Sequence, residues 1–323
     1  MAQLKVTLLE RTTRPVMAAD RPWEGMQLNF ANVIKIDNTW HMWYSAYDKN
    51  YKYDDDNYVC YAYSNDGINW IKPNLGLIEY SGNKDNNILI VGDTVGGPVP
   101  LGGVCGQSVF LDKQAPPEER FKIVFIRLVS EGEGEAVYGG TSSDGIHWNL
   151  NLTTPLVNHI SDTQNVCIKD GNIYRLYGRI WTGPNCTGIR MVSYTESPTF
   201  GNFPERTVVL SDPEIQFYNS AATKIKDNCY VMFPSAYSLT TGLVEPHLAV
   251  SQDGINFEQV GGGPFLKFGT GFDSKSIYVC PGCIPGDKPG TYWFYYLGLD
   301  KGHDDPITSF NYTGGIGRFL VKV

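Results

Sequence analysis

The chain has 323 residues, of which 42% are hydrophobic and 13% aromatic, with 35 Gly and 19 Pro. Such a composition fills a core, demands many turns, suits short strands and excludes polar low-complexity disorder. A net charge of −8 with no concentrated basic stretch argues against nucleic acid as a partner. No run of about 18 apolar residues is present, which argues against a membrane-spanning helix.

The N-terminal segment MAQLKVTLLERTT has one Lys, a short apolar run and then charges. Without a long apolar region or a small-residue cleavage site, it reads as mature protein. The compartment stays open: cytoplasmic, or periplasmic or secreted if a signal has been removed.

Beyond it, one segment recurs. Ser64-Asn-Asp66-Gly67-Ile-Asn-Trp70 returns as Ser142-Ser-Asp144-Gly145-Ile-His-Trp148 and as Ser251-Gln-Asp253-Gly254-Ile-Asn-Phe257. Each copy follows an alternating run (YVCYAYS, AVYGGTS, PHLAVS), and Asp-Gly between such runs signals a hairpin, Gly supplying the positive φ. The trailing aromatic is expected to pack between neighbouring sheets. The hairpin belongs to a larger unit of three strand-like runs followed by a fourth.

First strands are predicted over Gln27–Ile36, Val104–Leu111, Thr163–Ile168, Gln216–Ile225 and Lys275–Val279. Second strands are predicted over Trp40–Tyr47, Arg120–Arg127, Ile173–Ile180, Cys229–Tyr237 and Thr291–Leu299. That makes five units. The hairpin of the third is degenerate (Tyr194 to Phe200), and the fifth ends at its third strand, Ile316–Val323. Leu4–Glu10 has no partner of its own and can supply the missing outer strand, closing a ring. The expected fold is therefore all-β: a single domain over 1–323, a five-bladed β-propeller closed by the N-terminal strand. The irregular stretch Asn74–Gly103 is expected to decorate one rim.

The seven cysteines are scattered through apolar runs and read as small core residues. Cys280-Pro-Gly-Cys283 has redox or metal spacing, but no second pair completes a zinc site, and a turn is the simpler reading. Asp54-Asp55-Asp56 could offer oxygens to a structural calcium ion but lacks the spaced EF-hand pattern, so a solvated loop is the plainer reading. No other metal or cofactor is expected.

The Ser-x-Asp-Gly-x-x-Trp repeat and the strand WHMWYSAYD resemble the five-bladed glycoside hydrolases, which include families 32, 43 and 130. Arg21–Gly25 (RPWEG), Lys72–Leu89, Ala115–Lys122 and Ser161–Val166 are similar to a bacterial branch labelled family-32-like. The Trp-x-Asn-Asp-Pro-Asn-Gly, Arg-Asp-Pro and Glu-Cys motifs of family 32 are absent. The resemblance implies a carbohydrate substrate and an axial funnel with carboxylates at the starts of the innermost strands.

Glycoside hydrolysis needs one carboxyl group to protonate the leaving oxygen and another to attack or to activate water. Glu24, Asp162, Glu214 and Asp273 precede first strands and are the catalytic candidates; the second unit offers Gln107 instead. By similarity, Asp162 would hold sugar hydroxyls, Glu214 would donate the proton, and Glu24 or Asp273 would be nucleophile or base. Trp23, beside Glu24, joins the substrate-binding candidates. Loops after the second strands share that rim and add Asp48, Arg127, Arg179, Trp181, Tyr237 and His303, whose aromatic and guanidinium groups suit sugars. His247, at the start of a third strand, is a further candidate, because the related anhydrogalactosidases use a His as acid. A glycoside phosphorylase holding phosphate with Arg127, Arg179 or Lys275, and a non-catalytic carbohydrate-binding propeller, are the alternatives to a hydrolase.

Overall fold

The computed structural model describes residues 4–25, 27–49, 57–92, 103–128, 136–159, 161–184, 186–305 and 314–323. The run Asp54–Asp56 lies outside them. The regular secondary structure of the described residues is almost entirely β, and none of their helices is long and apolar enough to cross a membrane.

The N-terminal strand β1 (Thr7–Arg11) stands apart from the strands that follow it. The first blade is β2 (Gln27–Ile36), β3 (Thr39–Tyr47), β4 (Asn57–Ser64) and β5 (Ile88–Val91), paired in that order. The second is β6 (Gly103–Leu111), β7 (Phe121–Leu128), β8 (Ala136–Ser142) and β9 (Asn149–Asn151). The third is β10 (Val166–Asp170), β11 (Ile173–Trp181), β12 (Arg190–Ser197) and β13 (Thr207–Leu210). Part of the stretch expected to be irregular thus forms β5, the outer strand of the first blade.

The fourth unit departs from expectation, because both of its long strands break. The first strand becomes β14 (Gln216–Phe217) and β15 (Thr223–Lys226), parted where Ala221 takes a left-handed φ of 45°. The second becomes β16 (Cys229–Met232) and β17 (Ser235–Tyr237), parted at Pro234, which has no N–H for the ladder. The Asn219 side chain accepts from the Ser235 hydroxyl at 2.7 Å and fixes the break. Next come β18 (Val244–Pro246), β19 (Leu248–Ser251) and β20 (Glu258–Val260), and the fourth blade runs β15-β16-β19-β20.

The remaining strands are β21 (Ser276–Val279), β22 (Ile284–Pro285), β23 (Thr291–Leu299) and β24 (Gly314–Lys322). Together with β1, β14, β17 and β18 they form one eight-stranded curled sheet, β1-β24-β23-β21-β18-β17-β14, with β22 beside β23. The parallel bridge Val244↔Ser276 carries the detached front pieces of the fourth unit into this closing sheet. The observed arrangement is a propeller of four blades and a larger closing sheet, where five separate blades were expected. As anticipated, the N-terminal strand completes the ring: β1 runs antiparallel to β24, from Thr7↔Lys322 to Arg11↔Phe319. Cys280–Cys283 is a turn between β21 and β22, and all seven cysteines are free.

Alternation along the second strands explains the packing. Trp40, Met42 and Tyr44 of β3 face Tyr295, Leu297 and Ile316 of the closing sheet, while Trp43 faces Phe121 and Phe125 of the second blade. Similar apolar layers fill the other joints around the ring.

The recurring hairpins fasten those joints. In each, the Ser hydroxyl accepts the Gly N–H and the Asp carboxylate accepts two backbone N–H groups, so the turn is satisfied within itself. The Gly carbonyl is left to reach the neighbouring sheet. Gly67 O accepts from Tyr295 at 2.8 Å, Gly145 O from the Trp43 indole at 2.7 Å and Gly254 O from Tyr177 at 2.7 Å. A Cβ on Gly67 would lie 2.6 Å from the Tyr295 hydroxyl, so closeness as well as positive φ demands glycine there.

Left-handed residues bulge the first strands at Phe30 (φ 41°) and Gly106 (φ 60°) and turn backbone groups toward the axis. Gln107 Nε2 donates to Phe30 O at 2.8 Å, and Gln164 Nε2 donates to both Ala31 O and Gln107 O. These buried amides cross the middle of the ring. Behind them, where the first strands end, lies a cavity of about 460 Å³ lined by residues such as Lys35, Phe110, Lys169 and Cys283.

Candidate functional site

The front of the ring is where first strands begin and second strands end. Around the third blade and the closing sheet, this end gathers an aromatic and cationic cluster. Arg179, near the end of β11, is 1% exposed, and its guanidinium lies 4.2 Å from the Tyr218 ring centroid and 5.1 Å from that of Trp181. Its Nη1 stands 3.6 Å from the Asp162 carboxylate, whose side chain is 44% exposed. Among the described residues, its Nε and Nη2 are buried without a hydrogen-bond partner, as are Trp181 Nε1 and Arg190 Nε.

Tyr237 donates to Asp304 at 2.7 Å, with the Arg190 guanidinium 5.4 Å from its ring centroid. Burial and the Asp304 carboxylate push the Tyr237 phenol up to about 12. His303 packs edge-on to Tyr218 and Tyr237 and shares a 2.8 Å hydrogen bond between Nδ1 and the Tyr278 hydroxyl. Burial lowers the imidazole to about 4, with Asp304 opposing and the Arg179, Arg190 and Lys301 charges adding to the fall. His303 is thus a neutral ring near pH 7 and presents a hydrogen-bonding edge rather than a charge.

Asp162, Arg179, Trp181 and Tyr237, singled out from the sequence, therefore meet in one place, together with His303. Arg190, Tyr218 and Asp304 were not foreseen. Arg190 sits directly opposite Trp181 in the β11–β12 register, a pairing visible only once the strands are aligned.

A second group lies at the front of the first blade. Trp23 donates to Asn87 at 2.9 Å, meets Tyr80 edge-on and helps line a cleft of about 830 Å³ with Lys49 and Tyr80. Asp48 accepts from Tyr80 at 3.4 Å. Glu24 sits behind them, fully buried in the short 3-10 turn Pro22–Glu24. Its carboxylate accepts from Tyr44 at 2.6 Å, from Lys72 at 2.6 Å and from the backbone N–H groups of Asp20 and Arg21.

The other candidates are dispersed. Asp273 is 4% exposed and is held by Arg11 of β1 and by the Tyr296 hydroxyl at 2.8 Å. Glu214 is exposed, in a turn whose backbone is capped by Asp212. Gln107 belongs to the axial bridge. Arg127 donates to Leu152 O at 3.0 Å and covers the Tyr138 ring within its own blade. The His247 imidazole is lowered by burial, against a hydrogen bond to Gln259 and the charge of Asp212. Among the described residues, no group of three or more His, Cys, Asp or Glu side chains is arranged to hold a metal ion.

No protein-family model matches the chain, and no curated protein matches it. Solved structures do resemble it. An N-acetylgalactosamine deacetylase from F. plautii, in complex with blood group B trisaccharide, aligns at TM-score 0.63 and 16% identity over 96% of this chain and 93% of that one. The α-L-arabinofuranosidase from Podospora anserina, in complex with cellotriose, aligns at 0.63 and 13% identity over 96% of both chains. A GH130 structure aligns at 0.64 and 13% identity over 96% and 92%; that family of mannoside phosphorylases contains glycoside hydrolases that target β-1,2 mannosidic linkages in Candida mannan. Likeness at such identities is likeness of fold, and the chain shares its β-propeller architecture with carbohydrate-active enzymes.

Proposed function

We propose that the protein is a glycoside hydrolase acting on an oligo- or polysaccharide at the front of the ring, and that the closing sheet serves as the fifth blade of a five-bladed propeller. The single observation that carries this reading is the cluster of Asp162, Arg179, Trp181, Tyr218, Tyr237 and His303. It joins a solvent-facing carboxylate to aromatic faces and fixed hydrogen-bond donors. Ring faces stack on the C–H surfaces of a sugar, and donors fix its hydroxyls.

Of the four acids, Asp162 and Glu214 face solvent, and we assign the carboxylate chemistry to them. Glu24 and Asp273 are enclosed by hydrogen bonds and ion pairs, which suits anchoring. The phosphorylase alternative draws support from the buried donors of Arg179, which would equally hold a phosphate.

Activity on a panel of aryl glycosides and plant or microbial oligosaccharides tests the proposal. Asp162→Asn and Glu214→Gln should each lower turnover by about 10²–10⁴-fold with unchanged circular dichroism. Full activity in both variants rejects the assignment. Turnover strictly dependent on phosphate selects the phosphorylase.

A further inference from the structure

Resting on the carbohydrate-site reading above, we propose that the Arg179 site binds an oxyanion: two oxygens of one anionic group seated in the guanidinium fork. A sugar carboxylate, as in a uronic acid, supplies such a pair, and so does inorganic phosphate. Nε and Nη2 lie along one edge of the planar guanidinium, at the spacing of two oxygens of a carboxylate or phosphate. In Arg179 these are the two nitrogens left without an acceptor, while Nη1 faces Asp162. Tyr218 and Trp181 pack against the guanidinium and hold its plane.

Burying a cation and leaving its donors unmet is costly on both counts, so a purely structural arginine here would be a poor solution. The surroundings strengthen the case. Trp181 Nε1 and Arg190 Nε are also buried donors lacking acceptors, and the nearby imidazole of His303 contributes no compensating negative charge. This end of the third blade is therefore rich in unmatched donors, beside the half-exposed Asp162 carboxylate and the half-buried Trp181. A neutral sugar hydroxyl brings one oxygen to the fork; an oxyanion brings two, one for each of the nitrogens that Asp162 does not serve.

Calorimetry on the full chain would compare galacturonate with galactose, glucuronate with glucose, and inorganic phosphate, each at two salt concentrations. One uronate should bind at least about tenfold tighter than its neutral counterpart, or phosphate should bind, and Arg179→Lys should weaken that binding by at least about tenfold. The Trp181 contribution to fluorescence, defined by the Trp181→Phe variant, should change on binding. A preference for uronate assigns the fork to a sugar carboxylate; phosphate binding without that preference assigns it to the free anion. Neutral and acidic partners binding alike, with no phosphate binding, overturn the proposal, as does undiminished binding in folded Arg179→Lys. If Arg179→Lys does not fold, the wild-type comparisons decide. Turnover of neutral glycosides with no anion preference sinks this inference and spares the hydrolase; uronate binding without turnover of any glycoside does the opposite.

Discussion

Glu24 and Asp162 occupy similar places in the sequence, each shortly before a first strand, yet their surroundings are opposite. Glu24 is sealed against Lys72 and Tyr44, whereas Asp162 stands partly in solvent beside Arg179. Sequence position could nominate both, but burial depends on Lys72, which arrives from 48 residues away. Removing that lysine charge would strand a carboxylate in the interior, so Lys72→Met should cost about 3 kcal/mol in urea unfolding. Glu24→Gln should cost less, about 2 kcal/mol, because Lys72 keeps the Asp20 carboxylate and the Ala18 carbonyl. The double variant should lose less than the sum, since the two groups share one interaction. Abolished turnover in Glu24→Gln with unchanged stability would instead place Glu24 in the chemistry. Among the residues of the proposed site, Arg179, Trp181 and Tyr237 were legible because they lie at the ends of second strands. Tyr218 was hidden because it directly follows a two-residue strand that the broken ladder leaves behind.

At the scale of elements, the bounds of Gln27–Ile36 and Thr291–Leu299 could be read directly, because each is a long strand-forming run that ends at turn-forming residues, the bulge at Phe30 notwithstanding. The fourth unit could not be: Pro234 was visible, but the left-handed Ala221 and the one-residue parallel bridge have no sequence signature. The hairpins were the clearest elements, and their chemistry gives a prediction with a sign. The Asp66 carboxyl is held well below the usual carboxylate range by the N–H groups of Asn69 and Ile68. In Asp144 and Asp253, burial pulls the other way but is outweighed by hydrogen bonds from His147 and Asn256. A depressed folded-state pKa gives stability that is complete above the unfolded value, near 3.9, and is lost as pH falls through the folded one. The melting temperature should therefore hold down to about pH 5 and drop below about pH 4. Converting all three to Asn should flatten that acid limb; an unchanged limb would show that other carboxylates control it.

For the whole molecule, the ring is closed by one short strand and by the Arg11–Asp273 pair it brings. The closure itself was legible from Leu4–Glu10 having no partner; the ion pair was not, because Asp273 read equally well as a funnel acid. Arg11→Met should destabilise the protein by about 3 kcal/mol by leaving Asp273 buried without its cation. Adding Asp273→Asn should restore part of the loss, since an amide still accepts from Tyr296 and carries no charge. A melting temperature unmoved by Arg11→Met would show that the strand pairing alone closes the ring.

The amide bridge of Gln107 and Gln164 has a consequence for traffic. Because Gln164 spans from the third blade to Ala31 of the first and Gln107 of the second, buried amide groups lie between the three blades where an open channel would otherwise run. On the proposed function, a glycan handled at the front would have to present an end or a bend rather than thread through, and its products would leave on the side where it entered.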